Sequence, residues 1–273
     1  MKLMVSHHDI VFHTVSIVRR AFASFKYRTG TEAFFDYARD SYVKQRQLFE
    51  ARRWYGVTPP PRHLQERIVA GYFPRYIASG RQIAKEILSL APGTKQSVLD
   101  FGCGSGRVAV PVSKFLPNSR ICATDIDPEA IDWCRNHIAG VEFDVNSHNP
   151  PTRYPSGSFD LIYAVSVFTH LPEKMQREWL EELRRICCGY LVLSIHGQRH
   201  HKHIPPAVVP EFLKRGFYYL RSGTTDGLPD FYQSTFQTHD YIRSEWGKFF
   251  DIMEIKERAI GWGNHDAVVC KVR

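Results

Sequence analysis

Val98-Leu99-Asp100-Phe101-Gly102-Cys103-Gly104-Ser105-Gly106-Arg107 is the stretch that decides the fold. A short apolar run ends in an acid, and glycines follow at alternate positions. Glycine lets the chain turn sharply and lets a ligand approach the main chain closely. The residues after Gly106 read as a helix, whose first N–H groups have no intrahelical partner. Strand, glycine turn and helix N-terminus together make a ligand cradle. Asp100 separates this cradle from one built for phosphate. A carboxylate there repels a pyrophosphate but can hold an ammonium group.

Nineteen residues after Gly106 comes Asp125, at the end of the next apolar run, Ile121–Asp125. An acid there can accept both hydroxyls of a ribose, and Ile126 beside it can cover an adenine face. Besides Ser97–Phe101 and Ile121–Asp125, strands are predicted at Val141–Val145, Phe159–Val165 and Tyr190–His196. Helices start between them near Gly106, Pro128 and Pro172. Asp127-Pro128 is a cap followed by a first-turn proline. Met175, Trp179, Leu183 and Ile186 form the apolar stripe of the third helix. This alternation predicts a parallel α/β sheet. Phe250–Glu257 and Ala267–Val272 are two further strands whose short connection leaves no room for a crossover helix, so they must be antiparallel. The expected architecture is a doubly wound, seven-stranded, mostly parallel α/β sheet with an antiparallel last strand, preceded by a helical N-terminal extension. Residues 197–248 are too long for a simple crossover and are rich in proline, glycine and aromatics, which suggests an inserted lid or substrate wall.

Hydrophobic residues make up 43% of the 273 and charged residues 23%, a balance that excludes wholesale disorder. The net charge of +8 is unevenly spread. Residues 1–92 hold 15 Lys+Arg against 7 Asp+Glu, whereas residues 93–273 hold 21 of each. A neutral domain over 93–273 therefore follows a basic extension over 1–92. Val11, Val15, Val18, Phe22 and Phe25 mark an amphipathic helix over 9–26, and an Arg/Lys-rich helix is expected over 32–55. After the Pro59–Pro61 break, residues 63–90 read as helical, interrupted near Gly71–Pro74. Such basic helices suit docking on the body, on a partner or on a membrane surface. No run approaches the ~18–20 apolar residues of a membrane span, and His7, His8, Asp9 and His13 spoil a signal-peptide layout. The six cysteines form no C-x-x-C pair, so neither a zinc ribbon nor a disulfide scaffold is indicated. A cytoplasmic setting is expected.

Asp100-x-Gly102-x-Gly104-x-Gly106, Asp125 and Phe159-Asp160-Leu161-Ile162 resemble the class I S-adenosylmethionine-dependent methyltransferases over roughly residues 95–273. Ser166-Val167-Phe168-Thr169-His170-Leu171 resembles a bacterial small-molecule and glycan-associated subset. Tyr232–Phe236 and Ser79-Gly80-Arg81 resemble it more weakly. The resemblance implies S-adenosylmethionine as cofactor. It implies that Gly102 and Gly104 line its methionine end, with Asp100 near its amino group. It implies that Asp125 holds the ribose, Asn146 faces the adenine amine, and Ala164 and Val165 floor the sulfonium. Gly80, Cys103, Gly106 and Ile126 complete the implied cofactor set. The implied acceptor is a small molecule or glycan, methylated at oxygen.

Other readings compete. Gly104-x-Gly106-x-x-Ala109 fits a loose dinucleotide fingerprint, the mark of an NAD(P)-dependent oxidoreductase. Asp100 and the closing hairpin count against it. A nucleic-acid or membrane-surface binding protein with a degenerate core is a further alternative, although the neutral core argues against nucleic acid. Asn149-Pro150-Pro151-Thr152 precedes the fourth strand and reads as a loop breaker. His170 and His196, just past the fourth strand and at the end of the fifth, are the candidates to take a proton from an acceptor hydroxyl. His200, His201 and His203 are interleaved with Arg199 and Lys202, which repel a cation, so a solvated loop is expected and no metal site. Tyr218, Tyr219, Phe231, Tyr232 and Phe236 suit either an acceptor wall or a small local core.

Overall fold

The computed structural model describes residues 60–68, 73–221 and 228–273, plus Ser41, Tyr42, Gln45, Phe49 and Arg53, all helical. The chain divides into two compact units, 1–46 and 47–273. The expected helix over 9–26 lies outside the described residues, as does most of that over 32–55.

In chain order the elements are α1 (Arg62–Glu66), α2 (Phe73–Leu90), β1 (Ser97–Phe101), α3 (Ala109–Phe115), β2 (Arg120–Asp125), α4 (Pro128–His137), β3 (Glu142–Val145) and β4 (Phe159–Ala164). Then come α5 (Glu173–Ile186), β5 (Cys187–Ile195), α6 (Val209–Arg215), β6 (Phe217–Leu220), β7 (Ser234–Gln237), α7 (His239–Glu245), β8 (Phe250–Ile260) and β9 (His265–Val272). Seven strands form one sheet in the order β3-β2-β1-β4-β5-β9-β8. The first five are parallel, and β9 runs antiparallel to both β5 and β8. The expected sheet and its closing hairpin are both present.

Alternation along the central strands builds two cores. Leu99, Ile162 and Leu193 face α5, where Trp179, Leu183 and Ile186 meet them. Val98, Leu161 and Val192 face the other way, against Ile83, Ala84 and Ile87 of α2 and Val112 of α3. Successive side chains of a strand point to opposite faces, and each large aliphatic so buried contributes about 1.5–3 kcal/mol. The last helix of the basic stretch, α2, therefore shares a core with β1. Asp160 fixes the central register: its Oδ2 accepts from the backbone N–H of Gln96 (3.0 Å) and Ser97 (2.9 Å). Asp127 caps α4, its Oδ1 accepting from Glu129 N (3.0 Å) and Ala130 N (3.2 Å).

Residues 197–248 hold a feature absent from the sequence reading, the antiparallel pair β6–β7. Strand β7 and the residue before it are tied to the loops after β4 and β5. Gln233 N donates to His170 O (3.3 Å), Thr235 N to Thr169 O (2.7 Å) and Gln237 N to His196 O (3.0 Å). The Asn149–Thr152 stretch lies in the loop between β3 and β4, with a cis Pro150–Pro151 bond. The strand order reverses at β1, which has β2 on one side and β4 on the other. Ligands of such sheets bind outside the strand C-termini at this switch point.

Candidate active site

The glycine turn leaves β1 there. Gly102, Gly104 and Gly106 have φ of 81°, 53° and 80°, the left-handed region that favours glycine. Gly102 N and Cys103 N both donate to Thr124 O, at 2.8 and 3.0 Å. Gly104 N donates to Asp125 Oδ2 at 2.7 Å, and Asp127 N to Asp125 Oδ1 at 3.0 Å. The turn is thus stapled to the end of β2, and the second acid is fixed by the loop of the first. A Cβ on Gly102 would lie 2.2 Å from Val167 Cγ2, so any other residue would strain the turn and displace Val167.

Asp100 is 2% exposed, and its Oδ2 is buried with no hydrogen-bond partner among the described residues. Burial pushes its carboxyl up to about 7, and nearby Asp125 adds to the rise, while Tyr163, Arg107 and the Ala109 N–H draw it back. Burial also raises Asp125, opposed by the N–H groups of Asp127 and Gly104. A buried carboxylate with an oxygen left unpaired is costly. It is well suited to receive a ligand ammonium, so the donor set present fits the amino-acid end of S-adenosylmethionine.

A cleft of about 350 Å3 opens over this turn. It brings together Asp100, Gly102, Cys103 and Gly104 with Asp125, Ile126, Asn146, Val165 and His170. Four expected residues stand elsewhere. Gly106 packs on α4, where a Cβ would meet Ile138 Cδ1 at 2.9 Å. Ala164 is fully buried inside β4. Gly80 seats α2 on the turn, a Cβ there meeting the Arg107 carbonyl oxygen at 2.1 Å. His196 lines a neighbouring cavity. The cleft also contains Tyr232, from the aromatic set of the insert, and Arg67, which had no sequence signal. Arg67 bridges to Asp127 (2.6 Å) and Glu129 (3.0 Å), which docks the segment after α1 on the start of α4. Asn146 is engaged already, its Oδ1 accepting from Thr124 Oγ1 at 2.9 Å.

Ser166, just past β4, has φ 60°. That conformation is strained for a non-glycine residue. It is held by donation from Ser166 N to Ser194 Oγ (2.8 Å) and from Tyr232 Oη to Ser166 O (3.2 Å). His170 stacks on the Tyr232 ring, centroids 4.1 Å apart. Its Nδ1 lies 2.6 Å from Gln233 O. A carbonyl can only accept, so Nδ1 carries the proton and Nε2 keeps a lone pair. Burial lowers the His170 pKa to about 4, so the ring is neutral at pH 7. His196 is held likewise, Nδ1 donating to Thr235 O at 3.2 Å. Burial and then the neighbouring His265, His200 and His170 push it lower still. The two rings are 6.4 Å apart.

The expectation of a solvated histidine loop fails for His200, which is 8% exposed. Arg199 turns away to Asp266 (3.0 Å) and Gly263 O (2.7 Å), which lets His200 face inward. The aromatic insert divides its work: Phe236 and Tyr218 join a small core with Ile204 and Phe212, while Phe231 and Tyr232 line the cleft. His239, Glu257 and Asp266 lie close enough to suggest a metal site. Asp266, however, already accepts from Arg199, from His239 Nε2 (2.9 Å) and from Arg258 N (3.0 Å), which makes it the hub of an ion-pair network.

A doubly wound sheet with a reversed terminal strand thus carries an acid–glycine turn at its switch point and a second acid ending β2. Residues 98–188 match the family described as "Methyltransferase domain". A ribosomal protein L11 methyltransferase of Burkholderia lata is 40% identical over 76 residues, 28% of this chain and 24% of that protein. The chain thus matches about a quarter of the length of such curated relatives. Among solved structures, a Pyrococcus horikoshii OT3 protein superposes with TM-score 0.55 at 14% identity, covering 76% of this chain and 98% of the other. The 1,6-didemethyltoxoflavin-N1-methyltransferase of Burkholderia thailandensis, solved with that compound and S-adenosylhomocysteine, gives 0.51 at 14% identity, covering 72% and 79%. These two likenesses support the fold. Among the described residues no helix is long and apolar enough to cross a membrane.

Proposed function

We propose that the chain transfers a methyl group from S-adenosylmethionine to a small-molecule or glycan acceptor, at oxygen. One observation carries the reading: a buried Asp100 whose Oδ2 is unpartnered among the described residues and a ribose-ready Asp125 share one cleft with a neutral histidine. In this reading Asp100 takes the cofactor's ammonium, while Gly102, Cys103 and Gly104 admit its amino-acid portion. Asp125 accepts the ribose hydroxyls with the lone pairs its backbone contacts leave free. Ile126 and Asn146 flank the adenine, and Val165 floors the reacting end. The bound cofactor supplies a methyl group on a sulfonium, a leaving group that departs as a neutral thioether. In this reading His170 or His196 takes the acceptor's hydroxyl proton at Nε2. Alignment and exclusion of water supply the rest of the acceleration. The basic N-terminal helices ahead of α2 serve attachment to a partner or membrane surface, and the chain works in the cytoplasm.

Calorimetry with S-adenosylhomocysteine tests the reading. Wild type binds, and Asp125→Ala loses about 100-fold or more, because a buried charged acceptor is removed from two hydroxyl donors. No binding by the wild type, or binding of NAD(P) in its place, refutes it.

A further inference from the structure

Beside the cofactor cleft lies a second cavity of about 600 Å3. Arg107, Val165 and Ser166 line both, so the two spaces meet at the strained end of β4. The cavity's polar lining is unusual: four histidines, His196, His200, His203 and His265, stand with Ser234 and Asn264 and with one cation, Arg107, whose Nη1 donates to Ser79 Oγ at 3.2 Å. No acidic side chain lines it among the described residues, so an amine acceptor would find no counter-charge. Burial lowers His265 to about 4 and His196 further, so both rings are neutral at pH 7. A neutral imidazole donates at one nitrogen and accepts at the other, which matches hydroxyl groups. The Nδ1 atoms of His200 and His265 are buried with no hydrogen-bond partner among the described residues. Buried polar atoms of this kind are uncommon and call for a partner.

Trp262 stands at the rim of the same cavity, 51% exposed. It occupies the Gly261-Trp262-Gly263 turn between β8 and β9, where φ is 66°, 56° and 79°. Glycine tolerates that region, but a bulky residue there is a true outlier. The turn is fixed from three directions. Gly261 N donates to Glu86 Oε2 (2.8 Å), Asn264 N to Gly261 O (3.2 Å) and Arg199 Nη2 to Gly263 O (2.7 Å). Backbone strain and three tethers thus hold a large apolar ring out in solvent beside a set of hydroxyl-binding groups. A ligand with an apolar C–H face and a hydroxyl-bearing edge satisfies both features. A flat phenolic ring would satisfy the indole but leave most imidazole nitrogens unmet.

We propose that the second cavity is the acceptor site, and that it takes a neutral pyranose sugar whose C–H face stacks on Trp262 and whose hydroxyls meet His196, His200 and His265. The proposal rests on the methyl-transfer reading and narrows its acceptor. Saturation-transfer difference NMR on the protein loaded with S-adenosylhomocysteine tests it. The probes are the methyl glycosides of glucose, galactose, mannose, rhamnose and N-acetylglucosamine, with p-coumaric acid for comparison. At least one glycoside binds, with the strongest transfer at its ring C–H protons. Trp262→Ala weakens that binding about tenfold and Trp262→Phe much less, as loss and retention of a stacking face require. Affinity for S-adenosylhomocysteine is the same in all three proteins, which shows that the variants are folded. If S-adenosylhomocysteine binds but no glycoside does, the sugar proposal alone falls. It falls also if p-coumaric acid binds as tightly as the best glycoside, or if Trp262→Ala binds sugar as wild type does. Failure of S-adenosylhomocysteine to bind the wild type overturns both readings.

Discussion

Cofactor binding should release a proton, and the source should be Asp100. Burial lifts its carboxyl from near 3.8 to about 7 in the free protein, while an ammonium held against the unpartnered Oδ2 favours the ionised form. If only the carboxylate binds tightly, affinity follows its ionised fraction. With a free-state value near 7, lowering the pH from 7.5 to 5 weakens S-adenosylhomocysteine about 75-fold, or ~2.6 kcal/mol. At pH 6 about 0.9 proton leaves per ligand bound. Calorimetry in two buffers of different ionisation enthalpy reads that proton directly. Asp100→Asn should bind weakly, without pH dependence over this window and without proton release. The same substitution should stabilise the free protein at pH 8. The folded value lies above the unfolded one, so Asp100's stabilising proton is present at low pH and lost as pH rises through 7. A higher melting temperature together with weaker binding would mark Asp100 as a strained functional residue. An affinity that stays flat from pH 5 to 7.5 in the wild type refutes the reasoning.

The neutral histidines should be visible by NMR: the rings of His170 and His265 stay neutral from pH 8 down to 5 and titrate only near 4, and a midpoint at 6 or above would contradict their burial. Their folded values lie below the unfolded 6.5, so their contribution to stability is intact above 6.5 and lost as pH falls toward 4. Gly80→Ala should cost about 1–3 kcal/mol in denaturant unfolding and also weaken S-adenosylhomocysteine, because the new Cβ meets the Arg107 carbonyl at 2.1 Å and must push α2 off the glycine turn. Lost stability with unchanged binding would mean that α2 does not position the turn.

The cleft at the switch point was legible because its information is local. Asp100 and Asp125 lie at the C-terminal ends of their own strands, and the glycine turn that follows the first is tied to the second. The strand–helix alternation and the short β8–β9 connection carried the sheet topology for the same reason. The second cavity was not legible. It is assembled from α2, the end of β5, β7 and the β8–β9 turn, residues far apart in sequence with no spacing rule to link them. Trp262 lies in the short β8–β9 connection, and its left-handed backbone carries no sequence mark. His200 was misjudged for a physical reason. Adjacent charges predict a solvated loop, but Asp266 captures Arg199 from 67 residues away, and that frees the neighbouring ring to turn inward. The charge boundary at residue 92 likewise separates compositions without separating cores, since α2 packs directly on Val98 and Leu161.

Strand β7 explains how the two cavities can act as one site. Its segment offers the carbonyls of Gln233 and Thr235, two residues apart and so on one edge, and each fixes a histidine by Nδ1. His170 belongs to the cofactor cleft and His196 to the second cavity. One short strand therefore sets the tautomer of both rings and leaves Nε2 as the basic nitrogen on each side of the junction. The same strand returns its N–H groups to the loops that carry those histidines, and Tyr232 just before it donates to the strained Ser166 carbonyl. A displacement of β7 would disturb both histidines and the junction together. Such concerted control suits the proposed transfer, in which a hydroxyl from one cavity would meet a methyl group in the other while water is kept out. It also accounts for why the inserted segment Tyr232–Gln237 is bound by seven hydrogen bonds to the loops after β4 and β5.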